Sequence, residues 1–162
     1  MTGVLQSGNV TPGHSAVWAA DGVLKDGGGT PAAQRVLASL RGANFNSTTD
    51  QPIIIPLNFV AFQLTGIIIT NASLSLTTAV GGFYPAASKG GTPLVSAAQA
   101  YSALTSSAAL LQATLAAFGS GTRFSSANLA SLGGLLAMYF SLTTAQGANA
   151  TADIYAVGID LS

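Results

Sequence analysis

The sequence predicts an all-β protein: an antiparallel β-sandwich of jelly-roll type preceded by an extended N-terminal arm. Three observations carry that expectation. About eight short stretches rich in β-branched and aromatic residues are separated by Gly- and Pro-containing turns, the spacing of sandwiches and barrels. Residues 8–31, "GNVTPGHSAVWAADGVLKDGGGTP", differ from the rest, holding the only His (His14) and the only Trp (Trp18) beside a glycine run. Charged residues make up only 6% of the chain, against roughly 25% in ordinary soluble domains.

With 162 residues, the chain is expected to form one compact domain with an appendage. The appendage comes first and is rich in Gly, Ser, Thr and Asn. Within it "HSAVWAADGVL" alternates, so Val17 and Val23 are expected in short strands around an Asp21-Gly22 turn. Gly27-Gly28-Gly29 followed by Thr30-Pro31 reads as a flexible break. That sets an arm at residues 1–31 and a sandwich domain at residues 32–162. An isolated two-stranded hairpin is marginal in water, so the arm should gain its order by lying on something else.

From Gln34 to Ala87 the pattern is β. "QPIIIP" places three Ile between prolines, which suits a short strand near a sheet edge. "FQLTGIIIT" is rich in β-branched residues. "SLSLTTA" alternates Leu with Ser and Thr at the period of a half-buried strand. Gly81-Gly82, Tyr84-Pro85 and "SKGGTP" are read as turns. The Ala- and Leu-rich stretch that follows is ambiguous: propensity favours helix for part of it, while frequent Ser and Thr oppose that. A helical turn over residues 97–104 and a strand over residues 111–118 are favoured, although period alone does not separate the two states. The end is clearer. "AMYFSLTTAQG" and "ATADIYAVGIDLS" read as strands joined by a Gln-Gly-Ala-Asn loop, with Ile154, Ala156, Gly158 and Asp160 sharing one face of the second. The pentapeptide Ser75-Leu76-Thr77-Thr78-Ala79 recurs as Ser141-Leu142-Thr143-Thr144-Ala145, and the two copies are expected to be comparable strand ends.

Composition excludes several classes of partner. Five Lys and Arg balance five acids, all Asp. Nucleic acid is not expected, because phosphate binding needs clustered cations. Anionic membrane surfaces are disfavoured on the same ground. Self-association is easier, since little like-charge repulsion opposes it. There is no Cys, hence no disulfide framework or thiol chemistry. The start "MTGVLQSGNV" lacks the basic and apolar regions of a signal peptide. The longest apolar stretch, residues 129–140, falls short of the roughly 20 residues of a spanning helix.

No catalytic, cofactor-binding or metal-ligating residue is expected, and the chain is not read as an enzyme. A Ser-His-Asp triad would have to use His14, which lies between Gly13 and Ser15 in the arm. Asp21 and Asp26 flank a turn, and Asp50 precedes a strand. Asp153 and Asp160 stand an odd seven residues apart, on opposite faces of a regular strand, so a glycosidase-like pair is not expected. "DGVLKDGGG" lacks the ligand spacing of a calcium loop, and around Lys89 the flanking residues are wrong for a phosphate loop. Asn9, Asn46, Asn71 and Asn149 stand in glycosylation sequons that a Ser/Thr-rich chain produces by chance.

Phe59, Phe62, Phe83, Phe118, Tyr139 and Phe140 sit in apolar stretches and are expected in the core. Trp18 either packs back on the sandwich or anchors the arm on a partner. The second is favoured, because the arm has no core of its own. Val10, His14, Trp18, Val23 and Lys25 are accordingly the candidate partner-anchoring residues.

"GNVTPGHSAVWAADGVLKDGG" resembles a segment that recurs near the N-termini of tailed-bacteriophage structural proteins. "ITNASLSLTTAVGGFYPAASKGG" and "YFSLTTAQGANATADIYAVG" are similar to small prophage proteins found beside morphogenesis genes. The resemblance implies a virion accessory protein of the capsid decoration (cement) or head-fibre type, with no catalytic residues. It implies a partner in the major capsid protein or another virion protein, a homo-oligomer such as a trimer, and a place in the virion assembled in the bacterial cytoplasm. An adhesive fibre or receptor-binding module is the alternative. Cement is favoured because the candidate tip loops "GSGTRFSS" and "TAQGANAT" offer only Arg123 and Phe124 for contact.

Overall fold

A computed structural model of the chain describes residues 14–18, 24–29 and 34–161. The chain divides into two compact units, Met1–Ala33 and Gln34–Ser162.

In the first unit, β1 (His14–Trp18) and β2 (Leu24–Gly29) pair antiparallel, Trp18 opposite Leu24 and His14 opposite Gly29. The register shifts by a bulge between His14 and Ala16. Gly27–Gly29, expected to break the chain, instead continues β2. Glycine tolerates extended backbone as readily as turn backbone, and here the pairing with β1 decides between them.

The second unit is nearly all β. In chain order it contains β3 (Gln34–Asn44), β4 (Gln51–Ile54), β5 (Phe62–Thr70), β6 (Val80–Tyr84), β7 (Leu110–Ala113), the one-turn helix α1 (Ala117–Gly121), β8 (Arg123–Phe124), β9 (Ala130–Leu132), β10 (Leu135–Thr144) and β11 (Thr151–Asp160). One antiparallel sheet runs β3-β11-β5-β7, with β8 also on β5; the other runs β4-β10-β6, with β9 also on β10. Leu37, Ile67, Ile69 and Ile154 from the first sheet share a single buried cluster with Ile53, Phe83, Met138 and Phe140 from the second. Two sheets around one apolar core is the plan of a β-sandwich.

Local pattern explains most of this packing. In β5, Phe62 and Leu64 are buried, then Ile67 and Ile69. The alternation changes phase because Val157 pairs Gly66 and the next residue, Gly158, pairs Leu64, leaving Thr65 as the extra residue of a bulge. In β11, Ile154, Ala156 and Gly158 are buried, as the alternation predicts. Strand β4 takes the sheet-edge place that Pro52, its second residue, and Pro56 beyond its end imply. Strand β10 is buried on both faces: Met138, Phe140 and Leu142 enter the core, while Ala137, Tyr139 and Ser141 are covered on the other side. Phe140 is the aromatic centre, with ring centroids 4.9 Å from Phe45, 5.2 Å from Phe83 and 5.9 Å from Tyr101. Of the six aromatics expected inside, only Phe118 stays half-buried.

Four expectations are corrected. "SLSLTTA" is a loop, because its backbone is held by single distant partners and not by a strand: Leu76 N–H donates to Leu104 C=O at 2.9 Å. Gly81 and Gly82 lie inside β6. They are needed for close approach, since a Cβ on Gly81 would stand 2.5 Å from Leu142 Cα and one on Gly82 2.5 Å from Val95 O. Residues 97–104 form separate turns and no helix, the first capped by Ser96, whose Oγ accepts Ala98 N–H at 3.2 Å. The strand expected over 111–118 ends at Ala113, and Phe118 falls in α1, where its ring meets Phe124 edge-on at 5.6 Å. "SKGGTP" does turn, with Ser88, Lys89 and Gly91 all at positive φ.

Candidate functional site

Two regions qualify, and each is taken by itself. In the hairpin, His14 and Trp18 occupy the two ends of β1, and Lys25 in β2 stands opposite Val17. Backbone pairing therefore brings three of the five candidate anchors, His14, Trp18 and Lys25, onto one small ribbon. Val10 and Val23 lie outside the described residues.

In the second unit, the carboxylates are engaged in structural contacts. Asp50 accepts the N–H of Ser88 and so fixes the left-handed Ser88-Lys89 turn. Asp153 is buried at 8% exposure. It accepts Gly42 N–H at 2.8 Å and the Asn71 side-chain amide at 3.2 Å, tying the β3 bulge to the end of β5. Arg35 reaches Asp160 at 3.5 Å. Among the described residues no group of three His, Cys, Asp or Glu is placed to hold a metal ion. No helix of the described residues is long and apolar enough to cross a membrane.

Two tyrosines have perturbed acidity. Burial pushes the Tyr101 phenol far above its ordinary value, with Tyr84 adding to the effect. Its hydroxyl donates to Gly81 C=O at 3.0 Å. Tyr84 is raised by burial and then by the Asp50 carboxylate. Both stay neutral phenols near pH 7, fitted to packing.

What stands out is apolar surface at one end of this unit. The segment between β4 and β5 carries Leu57 at 77% exposure and Val60 at 67%. Beside them opens a cleft of about 190 Å³ whose walls include Ile55, Phe59 and Leu136. A second hollow adjoins it through Pro56 and Phe59 and reaches Val36 on β3, which is 53% exposed. Contiguous exposed apolar area of this kind marks contact surfaces far better than scattered single residues do. Arg35 leans over Phe59, 5.9 Å from the ring centroid. Sequence reasoning missed this site, since "IIIPLNFVAF" reads as uniform core. The signal was Pro56 and Asn58, which take Leu57 out of both flanking strands.

The second unit is thus a nearly all-β body of two antiparallel sheets with exposed apolar side chains at Leu57, Val60 and Val36. No protein-family model matches the chain, and neither curated proteins nor solved structures give a significant match.

Proposed function

We propose that this chain is a structural virion protein that decorates and stabilises a bacteriophage capsid. In this reading residues 1–31 are an extended arm that attaches to the major capsid protein or another virion protein, through Val10, His14, Trp18, Val23 and Lys25. The sandwich packs against further copies, as a trimer, and the protein resides in the virion. The observation that carries the reading is the apolar end surface of Leu57, Val60 and Val36 on a chain of zero net charge. Such a surface suits protein contact, and repetition on a lattice makes weak contacts sufficient. The phage-like segments around His14 and in the C-terminal half support the same reading. A jelly-roll type of sandwich is supported by the sheet orders, in which no two successive strands of the chain are neighbours within β3-β11-β5-β7 or β4-β10-β6.

The adhesive-fibre alternative loses ground on one point: Phe124, the only aromatic of the candidate tip loops, is buried and stacks on Phe62 at 5.7 Å. The deciding experiment is the copy number in purified particles, by quantitative proteomics against the major capsid protein. A ratio near one, or a simple fraction of it, supports lattice-wide decoration. A small count points to a fibre or tail part, and absence from the particle overturns the virion reading.

A further inference from the structure

We propose that the second unit opens along one seam only. Its two sheets part between β3 and β4, where the Gln51 side chain is the clasp, and the β6–β7 side is the hinge. The opening is independent of the capsid role.

A sandwich has two seams, where the edges of its sheets meet, and here they are fastened differently. On one side the edges are β6 and β7, and residues 94–101 run between them. Val95 bridges both to Phe83 of β6 and to Leu115 just beyond β7. Leu94 N–H donates to Phe83 C=O at 2.8 Å, and Ala116 N–H donates to Leu94 C=O at 2.9 Å. Gly81 N–H donates to Gln99 C=O at 3.0 Å, while Gln99 Oε1 accepts Thr114 N–H at 3.2 Å. Main chain therefore joins the two sheets directly on this side.

On the other side the edges are β3 and β4, which do not pair. Among the described residues two hydrogen bonds connect them, both made by one side chain. Gln51 Oε1 accepts Asn44 N–H and Gln51 Nε2 donates to Asn44 C=O, each at 2.7 Å. The amide meets both backbone groups of Asn44 as a neighbouring strand would. Away from this clasp lies a hollow of about 460 Å³, with Val36 and Ala38 of β3 on its wall and Ile54 of β4 facing them. Apolar packing and Arg35, 5.9 Å from the Phe59 ring centroid, complete the fastening. Local opening starts where the fewest protected backbone bonds must break, which is the β3–β4 seam.

The chain lacks Cys, so the test follows the reaction of single introduced thiols with a thiol-reactive disulfide in the folded full chain. Ala43→Cys places the probe on β3, at a site 1% exposed, and Val95→Cys places it on the hinge side, at 0%. Circular dichroism verifies folding, and Ile53→Cys on β4 replaces the first probe if Ala43→Cys does not fold. Labelling at 43 is expected to need less free energy than labelling at 95, with a shallower urea dependence, because less surface is exposed. Gln51→Ala should speed labelling at 43 about tenfold, from the loss of two hydrogen bonds. Gln99→Ala removes a bond that survives the opening, so it should leave labelling at 43 unchanged while speeding labelling at 95. Equal free energies and urea slopes at 43 and 95 overturn the proposal, since the seam then opens only when the whole unit unfolds. Labelling at 43 as fast as a free thiol overturns it as well, because the seam is then not shut. So does a Gln99→Ala protein in which labelling at 43 speeds up as much as in Gln51→Ala.

Discussion

Residues 75–79 and 141–145 share the sequence Ser-Leu-Thr-Thr-Ala and adopt different structures. The second copy ends β10, where Ser141 pairs Gly82 and Leu142 pairs Gly81. The first is a loop, in which Thr78 and Ala79 N–H donate to Gln146 Oε1 at 3.1 and 3.2 Å. Yet Leu76 and Leu142 are equally buried, at 0% exposure. Burial of the leucine is common to both copies, and the available backbone partner differs. Conformation here follows the partner: a neighbouring strand for one copy, and scattered partners, the Gln146 side chain and the backbone of Leu104 and Tyr101, for the other. The glutamine stands directly after the second copy, so the strand copy positions the group that holds the loop copy.

This comparison can be broken from its strongest point downward. Leu142→Ala and Leu76→Ala should each destabilise by about 3–4 kcal/mol, the range for a fully buried leucine that leaves a cavity. Urea unfolding measures both, and a cost near zero for Leu76 would mean that the loop copy is a surface feature. Gly81→Ala should cost about 2–3 kcal/mol by forcing β6 away from Leu142. It should speed amide exchange in the strand copy more than in the loop copy.

Next comes an alkaline effect through Tyr101, whose N–H donates to Ala79 C=O at the end of the loop copy and whose hydroxyl meets Gly81 beside the strand copy. The folded state holds this phenol neutral beyond its ordinary pKa, while the unfolded chain ionises near pH 10. Stability is therefore fully present below about pH 10 and falls above it, by up to about 1.4 kcal/mol per pH unit. Unfolding curves between neutral and strongly alkaline pH should show that fall, and Tyr101→Phe should flatten it. Gln146→Ala should cost about 1–2 kcal/mol by freeing two backbone donors. Its amide-exchange signature should be confined to Thr78 and Ala79. Smallest is Thr143→Val. It loses the hydroxyl contacts to Val80 C=O at 3.2 Å and Ala97 C=O at 3.1 Å, a change of about 0.5–1 kcal/mol in the same denaturant assay.

The same comparison explains which parts of the fold were legible. Strands β5, β10 and β11 could be read because their apolar periodicity coincides with real pairing. "SLSLTTA" has the same periodicity, but alternation records which side chains are buried, and a loop pinned at Leu76 and Ala79 buries them too. Gly81-Gly82 was misread because one letter serves both tight turns and close strand contact. After Leu94, Ser96 starts a turn in a helix-favouring stretch by accepting Ala98 N–H, which propensity sums do not see. Leu57 and Val60 were hidden inside an apolar run that looked like core, and the three described candidate anchors of the hairpin were singled out by residue type alone.

The order of the strands has a consequence for biosynthesis. Both sheets are organised around late segments: β10 lies between β4 and β6, and β11 between β3 and β5. During translation the earlier strands emerge without their central partner: "PIIIP" waits for β10, and "FQLTGIIIT" has only the short β7 and β8 to pair with before β11. The β4-β10-β6 sheet cannot close until β10 has left the ribosome, nor the β3-β11-β5-β7 sheet until β11 has. Both sheets therefore complete late relative to their first strands, and the exposure of those strands to aggregation and to chaperones is set by the time needed to make β10 and β11.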